Sequence, residues 1–240
     1  MRINKYIATA LKISRREADN YVKEGRVKVN GKSITSFVEV DGSDKVEVDG
    51  ELLSLNKKKS YFAFYKPPFV ISSTKDNEGR TTVCDFFKNI EEKLICVGRL
   101  DYLSEGLLII TSDGEFANLL MHPRFKIRKT YLVKTKGPIK TETLKAMSKG
   151  VNLEDGFFRP IRIKKTNSPN WVLISIDTGR NRIIRRFLKK FDIKIDKLKR
   201  IAIGNIELGN LRNGEFRELT KQEIETIKRT TSNQDVKNGR

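Results

Sequence analysis

The sequence predicts an α+β protein in two unequal parts, a small helix–helix–hairpin unit ahead of a larger domain of strands flanked by helices. Three observations carry this. Residues 1–32 pass from helical to strand spacing and close on Asn30-Gly31, a dipeptide that favours the type I′ hairpin turn. From Ser60 onward, apolar and aromatic runs of strand length alternate with segments of helical spacing, punctuated by Gly and Pro. Between the two parts the chain turns polar and basic, ending in Lys57-Lys58-Lys59.

In the first part, Asn4 is the expected cap of a helix carrying Ile7 and Leu11 at i,i+4 spacing. Ser14 starts a second helix, with Glu17 three residues on as a capping box, and Ala18, Tyr21 and Val22 as its apolar stripe. Gly25 ends it. Val27 and Val29 alternate with Arg26 and Lys28, and a last strand includes Lys45 to Val48. The expected boundaries are 1–50 for this domain, 51–59 for a linker in which Lys57-Lys58-Lys59 are exposed and mobile, and 60–222 for the larger domain.

In the larger domain, Tyr61 to Tyr65 is an aromatic strand stopped by Lys66-Pro67-Pro68 and resumed by Phe69-Val70-Ile71. Residues 82–90 read as a short helix with Val83, Phe86 and Phe87 inward. Leu107 to Ile110 read as a buried strand. Asp113 caps a helix with Phe116, Leu119 and Leu120, broken at Pro123. A strand Tyr131–Val133, a helix Thr141–Lys149 closed by Gly150, and strands near 161–163 and 171–176 follow. Ile183, Ile184 and Phe187 form the inner face of another helix. Thr220 with Glu223 makes a final capping box, and the polar tail 230–240 is expected to be disordered.

The charge balance points to a polyanionic partner. Lys and Arg number 49 against 30 acidic residues, a formal +19, and phosphate neutralisation releases counterions whatever the sequence. Residues 1–32 hold nine Lys/Arg and three acids, and residues 159–200 hold fourteen Lys/Arg and three Asp. Arg15 and Arg16 sit in the first turn of the second helix, where cations oppose the helix dipole, so a ligand explains them better than stability does. No apolar run has the length of a membrane span, and the start of the chain is too short and broken for a signal peptide. Cys84 and Cys96 have neither metal-site spacing nor the number for a disulfide framework, so a reducing cytoplasm is expected, and no metal site. His122 and Trp171 read as structural. The lack of a spare apolar face predicts a monomer.

Gly98-Arg99-Leu100-Asp101, Ser104, Gly106-Leu107-Leu108 and Lys129-Thr130-Tyr131-Leu132-Val133 resemble the active-site signature of the pseudouridine synthases that modify ribosomal RNA. Lys66-Pro67 matches the end of the family's first catalytic strand. Gly179-Arg180-Asn181-Arg182 matches its third motif, with Ile183 standing where a polar residue is usual. Leu198 to Gly204 and Phe216 to Leu219 fit its closing strands. SRREADNYVKEGRVKVNGK resembles the S-four-type RNA-binding domain. The resemblance implies a mixed, mainly antiparallel sheet for the catalytic domain. It makes Asp101 the catalytic carboxylate, Arg185 its ion-pair partner and Tyr131 the ring beneath the target base. Arg2, Lys5, Arg15, Arg16 and Lys28 become phosphate contacts, as do Arg99 and Lys129 near Asp101, with Arg180, Arg182 and Arg186 as further RNA contacts. DGEFANLLMHP and GRNRIIRR sit closer to the branch acting on large-subunit RNA, so the expected partner is ribosomal RNA, naked or in an assembling large subunit.

Such an isomerisation breaks the C–N bond of uridine and re-attaches the base through carbon, so no cofactor is expected. The carboxylate must be ionised, and a nearby cation favours that form. Asp101 serves as nucleophile or as base; the sequence leaves both open. The target must also leave its stack. The rival reading is a non-catalytic RNA-binding or ribosome-assembly protein on the same scaffold. Against it stands Asp101, since a carboxylate facing a phosphate-rich partner costs a pure binder affinity.

Overall fold

The computed structural model describes residues 1–55, 58–73 and 76–237, with side chains through residue 232. The chain divides into two compact units, Met1–Lys59 with Asn89–Lys93, and Ser60–Lys88 with Leu94–Arg240.

In the first unit, helix α1 (Ile3–Ala10) buries Ile3, Tyr6, Ile7 and Ala8. Its N-cap is Arg2. Asn4, the expected cap, lies inside the helix and donates to the Asp19 carboxylate at 2.7 Å. The helix starts early because Ile3 is fully buried, with its N–H bonded to the Val38 carbonyl at 2.9 Å. Helix α2 (Arg15–Lys23) is capped by Ser14, whose Oγ accepts the Glu17 N–H at 3.1 Å. Strands β1 (Val27–Val29) and β2 (Lys32–Ile34) form the hairpin, with Asn30 and Gly31 both left-handed (φ 51° and 79°) as a type I′ turn needs. Strand β3 (Val46–Val48) pairs the other side of β1, and β4 (Glu51–Leu52) pairs β3. The first sheet therefore extends into the stretch read as linker, and Leu53 and Leu55 pack on its core. Of the lysine run, Lys57 lies outside the described residues; Lys58 and Lys59 are exposed.

The second unit holds β5 (Tyr61–Lys66), β6 (Ile95–Val97), β7 (Glu105–Thr111), α3 (Gly114–Met121), β8 (Lys129–Thr135) and α4 (Thr141–Lys149). It continues with β9 (Val151–Leu153), β10 (Gly156–Phe158), β11 (Arg162–Lys165), β12 (Trp171–Ile176) and α5 (Ile183–Lys189). The last elements are β13 (Ile195–Ile203), β14 (Ile206–Glu207), β15 (Phe216–Glu218) and α6 (Lys221–Lys237). Among the described residues the main sheet runs β11-β12-β8-β13-β7-β5-β15, with β14 beside β13 and β6 beside β7. Strand β13 is parallel to β7 and the other pairings are antiparallel, a mixed, mainly antiparallel sheet. One core gathers β5, β7 and α3 around Phe116, Leu120 and Phe125; another gathers β8, β12 and α5 around Val133, Ile174 and Phe187. Burying each of these side chains stabilises by roughly 1.5–3 kcal/mol.

Three expectations are corrected. Phe69 does not resume a strand: it turns left-handed at φ 62° and donates its N–H to the Tyr102 carbonyl at 2.7 Å. The segment after residue 82 is a short 3₁₀ turn, Val83–Phe86, ended after one turn. The polar tail does not begin at Thr230. Helix α6 continues to Lys237, because Thr231 is buried with its hydroxyl donated to the Ile227 carbonyl at 3.0 Å. The last residues of the tail, 238–240, lie outside the described residues. Among the described residues no helix is long and apolar enough to cross a membrane.

Candidate active site

Asp101 lies in the turn between β6 and β7. The turn is closed by the Ser104 N–H, which donates to the Asp101 carbonyl at 2.9 Å. Ser72 grips the preceding residue: its Oγ accepts the Leu100 N–H at 3.1 Å and donates to the Leu100 carbonyl at 3.0 Å. Lys66, at the end of β5, is fully buried, with Nζ donating to the carbonyls of Pro67 at 2.6 Å and Ser104 at 2.8 Å. Burial lowers the Lys66 ammonium to about 8, against the opposing pull of Asp101 and Glu105, and the nearby Arg200 charge lowers it further.

Arg185 comes from α5, which starts at Arg182 in the left-handed conformation (φ 45°) without a side-chain cap. Ile183, Ile184, Phe187 and Leu188 are buried and fix the rotation of this helix. That rotation brings Arg185 to the Asp101 turn. Its Nε donates to Asp101 Oδ2 at 3.3 Å and its Nη2 to Ser104 Oγ at 3.1 Å. The Asp101 side chain stays 44% exposed, open to an incoming group.

The floor comes from β8 and β13. Tyr131, 9% exposed, is the register partner of Arg200 across the two strands. Arg200 in turn pairs Gly106 of β7, where the strands approach so closely that a Cβ on Gly106 would meet the Arg200 carbonyl oxygen at 2.2 Å. Arg200 donates through Nε to the Leu107 carbonyl at 2.7 Å. Burial, then the Arg200 charge, lowers Lys129 to about 8, partly offset by Asp177. Asp101, Arg185, Tyr131, Arg99, Lys129, Arg180 and Arg182 all line one cavity of about 330 Å³.

The family model described as RNA pseudouridylate synthase matches residues 60–190, and the S4 domain model matches residues 1–46. The chain belongs to the RNA pseudouridine synthases. It is 43% identical over 233 residues to "Ribosomal large subunit pseudouridine synthase B" of Bacillus subtilis, covering 95% of each. It is 35% identical to "Dual-specificity RNA pseudouridine synthase RluF" of Escherichia coli, over 93% of this chain and 77% of that one. A solved pseudouridylate synthase matches with a TM-score of 0.68 at 29% identity, over 95% of this chain and 99% of the other.

Not every basic residue of the synthase's third motif faces open solvent. Arg186 forms a two-point pair with Asp155, Nη1–Oδ1 and Nη2–Oδ2 both at 2.8 Å. Arg180 donates to the Asp155 carbonyl at 3.0 Å and the Phe157 carbonyl at 3.1 Å. Arg186 ties the β9–β10 hairpin to α5, and Arg180 ties it to the loop before that helix. Arg182 and Arg99 are exposed. In the first unit Arg2, Arg15, Arg16 and Lys28 are exposed, and Lys5 is half-buried.

Sequence reasoning missed Ser72 and Arg200 and gave Lys66 no role. Ser72 had no signal. Arg200 has one, a charge that follows Lys199 inside the strand-like stretch Leu198–Ile203.

Proposed function

We propose that this synthase isomerises uridine to pseudouridine in ribosomal RNA, at a large-subunit site, with Asp101 as the carboxylate that acts on the flipped-out nucleotide. The observation that carries the reading is the forked hold of Arg185 on Asp101 Oδ2 and Ser104 Oγ, beside a cavity lined by Tyr131. The large-subunit assignment is supported by the 43% identity to the large-subunit synthase B of Bacillus subtilis.

Arg185 holds Asp101 aimed, and the aspartate acts at the nucleotide as nucleophile or base. The C1′–N1 bond breaks, the base turns over Tyr131, and C5 joins C1′. The hydrogen on C5 leaves as a proton, to which the Tyr131 hydroxyl gives a path, and N1 gains one, so nothing enters or leaves overall. Arg99 and Arg182 meet flanking phosphates. Arg2, Lys5, Arg15, Arg16 and Lys28 of the first unit bind RNA backbone elsewhere, where contact is sequence-independent.

The test is to delete the chain from its cells and map pseudouridine across all RNA, then restore the wild type. One lost and restored large-subunit uridine is the expected result. A lost small-subunit site overturns the large-subunit assignment, and an unchanged map overturns ribosomal RNA as substrate.

A further inference from the structure

Two cations on the cavity floor have no task in the reading above. Tyr131 and Arg200 are direct partners across β8 and β13, so their side chains leave the sheet on one face, about 5 Å apart at Cβ. Lys129, two residues before Tyr131, shares that face. All three line the cavity. Arg200 is only 4% exposed, and with Nε bonded to the Leu107 carbonyl its Nη2 is buried without a hydrogen-bond partner. It is the buried side-chain nitrogen or oxygen left in that state among the described residues. An unmet donor of this kind is costly, more so when charged. Lys129, whose Nζ donates to the Ile127 carbonyl at 3.1 Å, has the positive charge of Arg200 as a neighbour. The Nη2 of Arg200 is short of an acceptor. A flat base lying on Tyr131 presents its carbonyl edge to the wall that Arg200 lines.

We infer that Arg200, supported by Lys129, receives a carbonyl oxygen of the target uracil and the negative charge that oxygen gains during the reaction. This rests on the function proposed above. When C1′–N1 breaks, the electron pair stays on N1, and the ring spreads the charge onto O2 and O4. When C5 closes on C1′, that pair becomes the new bond and the charge leaves the carbonyls. A fixed cation stabilises the anion more than the neutral base, so it lowers the barrier and does not merely tighten binding.

The experiment uses the full chain and a ribosomal RNA fragment that the wild type modifies, carrying uridine, 2-thiouridine or 4-thiouridine at the target. Sulfur is the poorer acceptor. Single-turnover rates and RNA affinity are measured for wild type and Arg200→Lys, which keeps charge but loses the fork. With uridine the variant loses about 100-fold in rate, with RNA affinity within about twofold. One thio substitution slows the wild type and gives no further loss in Arg200→Lys, the coupling expected of groups in contact. Equal thio penalties in both proteins overturn the inference. So does weakened RNA binding with an unchanged rate at saturation, which marks a phosphate holder. If thermal melting shows Arg200→Lys unfolded, Lys129→Met goes through the same comparison: a lower rate at unchanged affinity supports the inference, and an unchanged rate overturns it. A wild type inactive on every ribosomal RNA fragment defeats the proposed function and this subsite with it. An active wild type matched by its variant defeats the inference alone.

Discussion

Arg185 and Asp101, 84 positions apart in sequence, meet through Nε and Oδ2 at 3.3 Å, and the same guanidinium reaches Ser104 Oγ at 3.1 Å. The pair is half-exposed, so it adds little to stability, on the order of 0–1 kcal/mol. Its value is orientation. A lysine at 185 keeps the charge but cannot span both oxygens. Arg185→Lys is expected to lower the single-turnover rate by about 100-fold while leaving the melting temperature nearly unchanged. A large loss of melting temperature with normal activity would show a structural residue instead.

Lys66 supports the same turn from below. Its replacement by Met leaves the Ser104 and Pro67 carbonyls without their donor, at a cost of about 1–3 kcal/mol each at pH 7. The pH dependence has a definite sign. The folded ammonium loses its proton near 8 and the unfolded one at its ordinary value of 10.5. Between those values the unfolded state binds more protons, so the Lys66 contribution makes stability rise with pH. Urea unfolding at pH 7 and pH 10 should show a smaller rise for Lys66→Met than for the wild type. Parallel changes in the two proteins would remove Lys66 as the cause.

Gly106 is where β7 and β13 run closest. Its φ is +105°, and an added Cβ would lie 2.2 Å from the Arg200 carbonyl oxygen. Gly106→Ala is expected to destabilise by more than about 3 kcal/mol. Gly42→Ala, with nothing within 4 Å of its Cβ, should be nearly neutral in the same denaturant titration. Equal midpoints for the two variants would contradict the close approach.

Basic residues should separate into two classes by salt dependence. Arg15 and Arg16 are exposed, and each replacement by Ala is expected to reduce the slope of log affinity against log salt by about 0.7–0.9. Arg186 is held by Asp155, so Arg186→Ala should leave that slope unchanged and lower thermal stability. A reduced slope for Arg186→Ala would place its charge on RNA.

Much of this was legible because local chemistry decided it. Asn30-Gly31 forms its hairpin, and Asp113 caps α3 by accepting the Glu115 and Phe116 N–H groups. Gly150, at φ 88°, closes α4. What was not legible depends on tertiary partners. Phe69 reads as strand from its neighbours, yet Tyr102, thirty-three residues on, takes its N–H and turns it left-handed. The β9–β10 hairpin is pinned by Arg180 and Arg186, which charge patterning assigns to a ligand. At the site, Asp101, Tyr131 and Arg185 came from motif words. Ser72 and Arg200 act through long-range bonds to Leu100 and Leu107 that no local pattern announces.

The most direct measurement of the central claim is pseudouridine formation by purified Asp101→Asn, which keeps the shape of the side chain and removes its charge. The RNA is ribosomal RNA from cells lacking the chain. The wild type should restore the missing pseudouridine within a single turnover, and Asp101→Asn should bind the RNA with affinity within about twofold and form none. Formation of pseudouridine by Asp101→Asn at a rate near the wild type would contradict the assignment of Asp101 as the reacting carboxylate.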